Sequence, residues 1–281
     1  MLDTFCIYNG HLINLYEPAI SFTNRAFRYG DSLFESIRYT NGKIMFLADH
    51  VKRIKLSMTT LRMNVPAEFT SSNIEQLIIH LIEKNSLKQD ARIRLTVFRN
   101  DGGFYTPDTN DISFLIEAEK LEDTGYGLNQ KGLWVDIYAE IKKPINKISN
   151  IKTGSALLYV MAGITKTSLR LDDCLLVNEN GNIIESISSN IFVVKNGTLY
   201  TSPVTDGCVD GVMRKQILDI AAQNKILAFE QALTVHTLTN GDEVFLTNAI
   251  KGVQWVGQFK NKFYTNQRSV FFTEKLNEAA K

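Results

Sequence analysis

Asn150-Ile151-Lys152-Thr153-Gly154-Ser155 runs directly into Ala156-Leu157-Leu158-Tyr159-Val160-Met161-Ala162. One lysine sits among small residues just ahead of a segment whose apolar positions fall at 156, 157, 160, 161 and 164. That spacing predicts a helix packed through this stripe, with Lys152 held at its entrance and aimed into a cleft between domains. A lysine beside a helix start is, by itself, most often a surface residue. The residues around it in the chain decide otherwise.

Outward from this stretch, both halves of the chain carry turn signals between short apolar runs. Asn-Gly occurs at 9–10, 41–42, 180–181, 196–197 and 240–241, and each pair can supply the positive φ angles of a tight hairpin. Four have strand-like flanks: Phe5–Tyr8 with His11–Ile13, Ser36–Tyr39 with Lys43–Phe46, Cys174–Val177 with Asn182–Ile184, and Ile191–Val194 with Thr198–Tyr200. The fifth precedes a strand over Glu243–Thr247. Arg92–Arg99 alternates and predicts a strand with arginines on one face. Strands are also expected over Ile112–Ala118 and Trp134–Glu140. Helices alternate with them. Leu47, Val51, Ile54, Met58 and Leu61 form one stripe, with His50 and Arg53 on its flank. Ser72 and Glu75 suggest a capping box ahead of a helix bearing Ile74, Leu77, Ile78, Leu81 and Ile82. Gly211 leads into a helix from Val212, whose free N–H groups and positive dipole end suit a phosphate. The polar, glycine-containing run 119–131 is the expected linker. It divides the chain into an N-terminal α/β domain over 1–118 and a C-terminal domain over 132–281. The expected fold class is α/β (α+β): two domains with antiparallel-rich sheets and flanking helices.

Composition excludes several classes of function. The chain has 281 residues, 44% hydrophobic and 22% charged, with a net charge of +1, so neither nucleic acid nor an anionic membrane is an expected partner. No apolar run approaches spanning length and no secretory signal is visible at Met1-Leu2-Asp3-Thr4. Three widely separated cysteines fit a reducing, cytoplasmic setting. Four scattered histidines show no ligand spacing, so no metal site is expected.

The chemistry-bearing residues fall in the order Arg53, Lys152, Glu185-Ser186-Ile187-Ser188-Ser189-Asn190, Gly211-Val212-Met213-Arg214, Thr247-Asn248-Ala249. In this order and spacing the chain resembles the class IV, fold-type IV family of pyridoxal-phosphate enzymes. Branched-chain aminotransferases, D-amino acid aminotransferases and aminodeoxychorismate lyases belong to it. Phe27-Arg28-Tyr29-Gly30-Asp31-Ser32-Leu33-Phe34-Glu35-Ser36-Ile37-Arg38 is similar to the family's N-terminal segment, and His50-Val51-Lys52-Arg53 to its H-x-x-R helix. The resemblance implies that Lys152 forms a Schiff base with the aldehyde of pyridoxal 5'-phosphate and shuttles protons at the substrate carbon. A neutral amine is needed for both, and a desolvated lysine can have its pKa lowered to about 7–8. It implies that Glu185 faces the pyridine nitrogen, keeping the ring an electron sink. Arg53 would bind the phosphate through its planar fork. The N–H groups of Val212 and Met213 and the hydroxyl of Thr247 would complete the phosphate cup. Ser188, Ser189, Asn190 and Asn248 join the cofactor-binding set. The family fold further implies a homodimer, the partner's N-terminal domain helping to close each site.

The reaction is less sharply marked. Gly102-Gly103-Phe104-Tyr105-Thr106-Pro107 stands where the D-amino acid branch carries an Arg-x-His trap. Leu157 stands where the branched-chain branch has a tyrosine, and Ser155 where the lyase has an asparagine. Arg94 matches the branched-chain branch's substrate-binding arginine. The first expectation is an aminotransferase moving an amino group between a small or branched-chain amino acid and a 2-oxo acid. Arg38 and Arg94 are its candidate carboxylate binders, and Tyr29 and Phe34 its candidate pocket walls. The alternative is 4-amino-4-deoxychorismate lyase, which would use the same Lys152 to release pyruvate and 4-aminobenzoate.

Overall fold

The computed structural model describes residues 4–17, 20–87 and 89–280. The chain divides into two compact units that do not follow from a single cut. The first takes the chain up to Gly125 together with Ile151–Ser155 and Ala280. The second takes Tyr126–Asn150 and Ala156–Ala279.

In the first unit β1 (Phe5–Tyr8), β2 (His11–Asn14), β3 (Ser32–Thr40), β4 (Lys43–Ile44), β5 (Ala91–Arg99) and β6 (Ile112–Lys120) form one sheet in the order β2-β1-β6-β5-β3-β4. Its pairings are antiparallel. Three helices, α1 (Arg25–Tyr29), α2 (Leu47–Thr60) and α3 (Ser71–Lys84), accompany it. Asn9-Gly10 and Asn41-Gly42 adopt positive φ at both residues, the twist-matched turn that a two-residue hairpin requires. The α2 stripe of Leu47, Val51, Ile54 and Met58 is buried with Ile37, Ile93 and Leu95 of the sheet. Helix α3 is capped by Thr70 rather than by a box at Ser72. Thr70 is extended and its hydroxyl accepts from Asn73 N–H at 3.2 Å, so the helix begins one residue before the predicted cap.

The second unit contains β7 (Leu133–Lys143), α4 (Leu157–Ser168), β8 (Asp173–Asn178), β9 (Ile183–Ser186), β10 (Asn190–Lys195), β11 (Thr198–Thr201), α5 (Val212–Gln223), β12 (Ala228–Glu230), α6 (Val235–Thr239), β13 (Glu243–Asn248), β14 (Gly252–Phe259), β15 (Lys262–Phe263) and α7 (Gln267–Ala279). The sheet order is β12-β11-β10-β13-β14-β7-β8-β9, with β7 parallel to both β8 and β14. One further pairing, Asn190 with Glu185, joins β10 back to β9. The six strands from β10 through β13, β14, β7 and β8 to β9 thus close on themselves. Val135, Leu175, Ile183, Ile191, Val193, Val244, Leu246 and Val256 form a buried core cluster of these strands. Closure satisfies strand edges that would otherwise stand open, and it places Glu185 at the seam.

Helix α4 corrects one expectation. It begins at Leu157, and the stripe predicted to pack is largely exposed: Leu157 is 77% accessible, Val160 53% and Ile164 55%. Ala162 is buried, and Leu158 and Tyr159 pack with it against Tyr138, Leu171 and Leu176. The helix is apolar on more than one side, so periodicity alone could not choose the face that meets the sheet.

Candidate active site

Lys152 belongs to the first unit because its segment runs beside β3 as an added strand. Phe34 N–H donates to Lys152 O at 3.0 Å, Gly154 N–H donates to Ser32 O at 2.8 Å, and Leu33 pairs with Thr153. A Cβ at Gly154 would lie 2.1 Å from Ser32 Oγ, so a larger residue there displaces the Ser32 side chain. Backbone pairing on both sides of the lysine fixes where its side chain starts. Its Nζ lies 4.1 Å from the centroid of the Phe34 ring, and the Arg94 guanidinium contacts the same ring at 4.1 Å. An amine and a guanidinium therefore share one aromatic platform. Burial lowers the Arg94 pKa, while Glu117 opposite it on β6 acts in the other direction. Tyr29 closes α1 with its ring 5.5 Å from that of Tyr105 and 5.0 Å from the Arg25 guanidinium.

Arg53 projects from α2 onto Glu35 of β3. Its Nε donates to Oε1 at 2.8 Å and its Nη2 donates to Oε2, while His50 Nδ1 lies 2.7 Å from Oε2. Burial pushes the Glu35 carboxyl up, but the charge of Arg53 and the contacts of His50 outweigh it and hold it at about 2. The H-x-x-R spacing puts both donors on one helix face, and the glutamate they grip lies inside the quoted N-terminal segment. This pairing was not anticipated from the sequence. Arg38 is a correction. It is 3% exposed, and its Nε and Nη2 donate to Asp90 Oδ2 at 3.1 and 2.5 Å, with Nη2 also donating to Asp123 O. A guanidinium so engaged cannot serve a substrate carboxylate without leaving Asp90 as an unpaired buried charge. It is a structural ion pair.

In the second unit, Glu185, Asn190 and Thr247 stand opposite one another on β9, β10 and β13. Directly paired residues of neighbouring strands share a face, so the three form one polar row, with all three residues buried. Glu185 Oε1 accepts from Lys143 Nζ at 2.6 Å and from Tyr159 OH at 2.9 Å, and Oε2 accepts from Val209 N–H at 2.8 Å. Burial and the Glu185 charge push the Tyr159 phenol upward, so it stays protonated and donates. Asn190 Nδ2 donates to Val209 O at 2.8 Å. A Cβ at Gly211 would lie 1.9 Å from Asn190 Oδ1, so only glycine lets the start of α5 approach this row. Val212 and Met213 open that helix, and no side chain caps it. Thr247 Oγ1 is buried without a hydrogen-bond partner. Asn248 Nδ2 donates to Ser189 Oγ at 2.9 Å, and its Oδ1 accepts from Ile250 and Lys251 N–H in the turn after β13. Ser188 is exposed. Neither Lys143 nor Tyr159 was singled out in the sequence. Tyr159 lies seven positions after Lys152 rather than five, and Lys143 is one lysine among many at a strand end.

A buried carboxylate, a helix start without a side-chain cap and an orphaned hydroxyl suit a group that brings a donor for the carboxylate and acceptors for the other two. Glu185 takes three donors where a carboxylate offers about four acceptor positions, so one position is left. Thr247 Oγ1, buried and unpaired, has an unmet donor and would lose that penalty on a phosphate oxygen. These residues fit pyridoxal phosphate. The class IV aminotransferase family model matches residues 32–259, and the chain belongs to that family. It is a pyridoxal-phosphate-dependent enzyme. A putative branched-chain-amino-acid aminotransferase of Methanocaldococcus jannaschii is 26% identical over 97% of this chain and 94% of its own length. The D-alanine aminotransferase of Bacillus licheniformis is 26% identical over 86% and 83%. Among solved structures, the branched-chain aminotransferase of Thermoproteus uzoniensis superposes with a TM-score of 0.90 at 21% identity, covering 99% of this chain and 95% of its own. A putative 4-amino-4-deoxychorismate lyase of Legionella pneumophila gives 0.82 at 23% identity, covering 95% and 97%. At these identities the structures show the shared fold.

Proposed function

We propose that the enzyme is an aminotransferase that moves an amino group between a small or branched-chain amino acid and a 2-oxo acid, with Lys152 as its reacting amine. The observation that carries this reading is the shared Phe34 platform. It holds the amine of Lys152 and the guanidinium of Arg94 each 4.1 Å from one ring, with β3 running between the strand segments that carry them; an amine and a carboxylate-binding cation are the two groups an α-amino acid needs. The names of the relatives support the same reaction type.

Bound pyridoxal phosphate supplies an electron sink for the carbanion formed at the amino acid's α-carbon. The chain's own residues do the rest. Lys152 Nζ, as neutral amine, would take the α-proton and return it two bonds away, at the carbon on the other side of the substrate nitrogen. Glu185 offers its remaining acceptor position to the ring N–H. Val212 and Met213 N–H and Thr247 Oγ1 hold the phosphate, and Arg53, whose Nε and Nη2 stay on Glu35, adds its positive charge; Ser189, Asn190 and Asn248 fix the loop and turn around it. Arg94 orients the substrate carboxylate through its planar donors. Tyr29 and Phe34 wall the substrate. The enzyme works as a homodimer in this reading, and the exposed apolar stripe of α4 offers a face for the second copy.

The test is the visible spectrum of the holoenzyme with a panel of L- and D-amino acids, with Lys152→Ala alongside. Bleaching of the cofactor band by one donor class, absent in the variant, is the expected result. A band that no amino acid bleaches, with pyruvate released from aminodeoxychorismate and no 2-oxo acid required, would replace this reading with the lyase that the Legionella neighbour represents.

A further inference from the structure

Lys143 is a buried cation for which the reading above has no use. It ends β7, where its backbone carbonyl accepts from Glu179 N–H at 3.1 Å and its residue pairs with Asn178 of β8. Its side chain is 7% exposed, its Nζ lies 2.6 Å from Glu185 Oε1, and the Tyr159 ring is 5.6 Å away. A buried ammonium needs a carboxylate partner, and among the described residues its recorded ion pair is with Glu185. Strand pairing holds Lys143, so it cannot follow Glu185 elsewhere.

We propose that Lys143 is a positioning residue that decides where the proton shared between Glu185 and the cofactor ring resides. This rests on the reading of Glu185 as the ring's partner. A carboxylate and a ring nitrogen in a dry site can share one proton in two ways. The proton sits on the nitrogen beside a carboxylate, or on the carboxyl beside a neutral ring. The first arrangement separates charge. A fixed cation on Oε1 stabilises the negative end directly and lies farther from the positive one, so it favours the charge-separated form. Tyr159 OH and Val209 N–H act in the same sense, because both donate to the carboxylate. The ammonium is the full charge among them. Without it, the proton moves from the ring nitrogen to Glu185, and the ring loses its strength as a sink.

The experiment is ring-nitrogen NMR of holoenzyme loaded with pyridoxal phosphate carrying 15N in the ring. Parent, Lys143→Met, Lys143→Arg and Glu185→Gln proteins are compared. The parent and Lys143→Arg are expected to resonate in the protonated-ring range, and Lys143→Met and Glu185→Gln in the unprotonated range. Should Lys143→Met fail to fold, Lys143→Gln carries the same expectation, since it keeps a donor to Oε1 but has no charge. A Lys143→Met or Lys143→Gln signal that stays with the parent, while Glu185→Gln moves, overturns the role of Lys143 and leaves Glu185 in place. Lys143→Arg moving together with Lys143→Met also overturns it, because a cation would then not be the cause. If Glu185→Gln leaves the signal unchanged, the reading of Glu185 falls and this proposal with it.

Discussion

Replacing Glu35 by glutamine keeps the shape of the side chain and removes its charge. The carboxylate is 1% exposed and accepts from His50 and twice from Arg53. Its pKa falls from 4.5 to about 2 because the Arg53 charge and His50 outweigh the burial that would raise it. A folded-state pKa below the unfolded one means stability that is fully present above pH 4.5 and is lost as pH falls through about 2. At roughly 1.36 kcal/mol per pH unit the contribution is about 3 kcal/mol at pH 7. The same linkage leaves about 1.4 kcal/mol at pH 3. Glu35→Gln mimics the protonated carboxyl at every pH. The gap between parent and variant should therefore be about 3 kcal/mol at pH 7 and shrink by about half at pH 3. Urea unfolding followed by far-UV circular dichroism measures it, since both tryptophans, Trp134 and Trp255, lie in the second unit. A gap below about 1 kcal/mol at pH 7, or one that does not narrow on acidification, would refute the assignment of this ion pair as the fastening of α2 to β3.

Thr247→Val removes an unpaired buried hydroxyl, so the apoprotein should be as stable as the parent or more stable by about 1 kcal/mol, while cofactor binding weakens about tenfold. Equal cofactor affinity in calorimetric titrations would take Thr247 out of the phosphate cup. Arg94→Met should raise the KM for the amino acid donor about tenfold or more with kcat within a few-fold. A fall in kcat at constant KM would assign Arg94 to the chemical step instead. Asp90→Asn strips Arg38 of its carboxylate and should cost about 3–5 kcal/mol in unfolding free energy without changing KM. A higher KM with unchanged stability would return Arg38 to the substrate.

Local chemistry along the chain was legible wherever one residue's neighbours in sequence decide its conformation. The Asn-Gly turns of β1–β2, β3–β4 and β10–β11 fall where positive φ was expected. Helices α2 and α5 begin and run as their spacing predicts, because apolar period and a glycine entrance act over a few residues. The fifth Asn-Gly, at 240–241, instead follows α6, with Asn240 as a C-cap at φ −94°. What sequence could not carry was partnership. Lys152 lies in the chain among second-unit residues, yet backbone pairing with β3 assigns its segment to the first unit. Arg38 and Arg94 alternate in equivalent strand patterns, and only the position of Asp90 separates a structural pair from a candidate binder. Lys143 and Tyr159 meet Glu185 because β7, α4 and β9 converge at the seam of a closed sheet. Residue type and order along the chain determined the family. Charges acquire their roles from burial and from the nearest opposite charge, and both are properties of the fold in three dimensions.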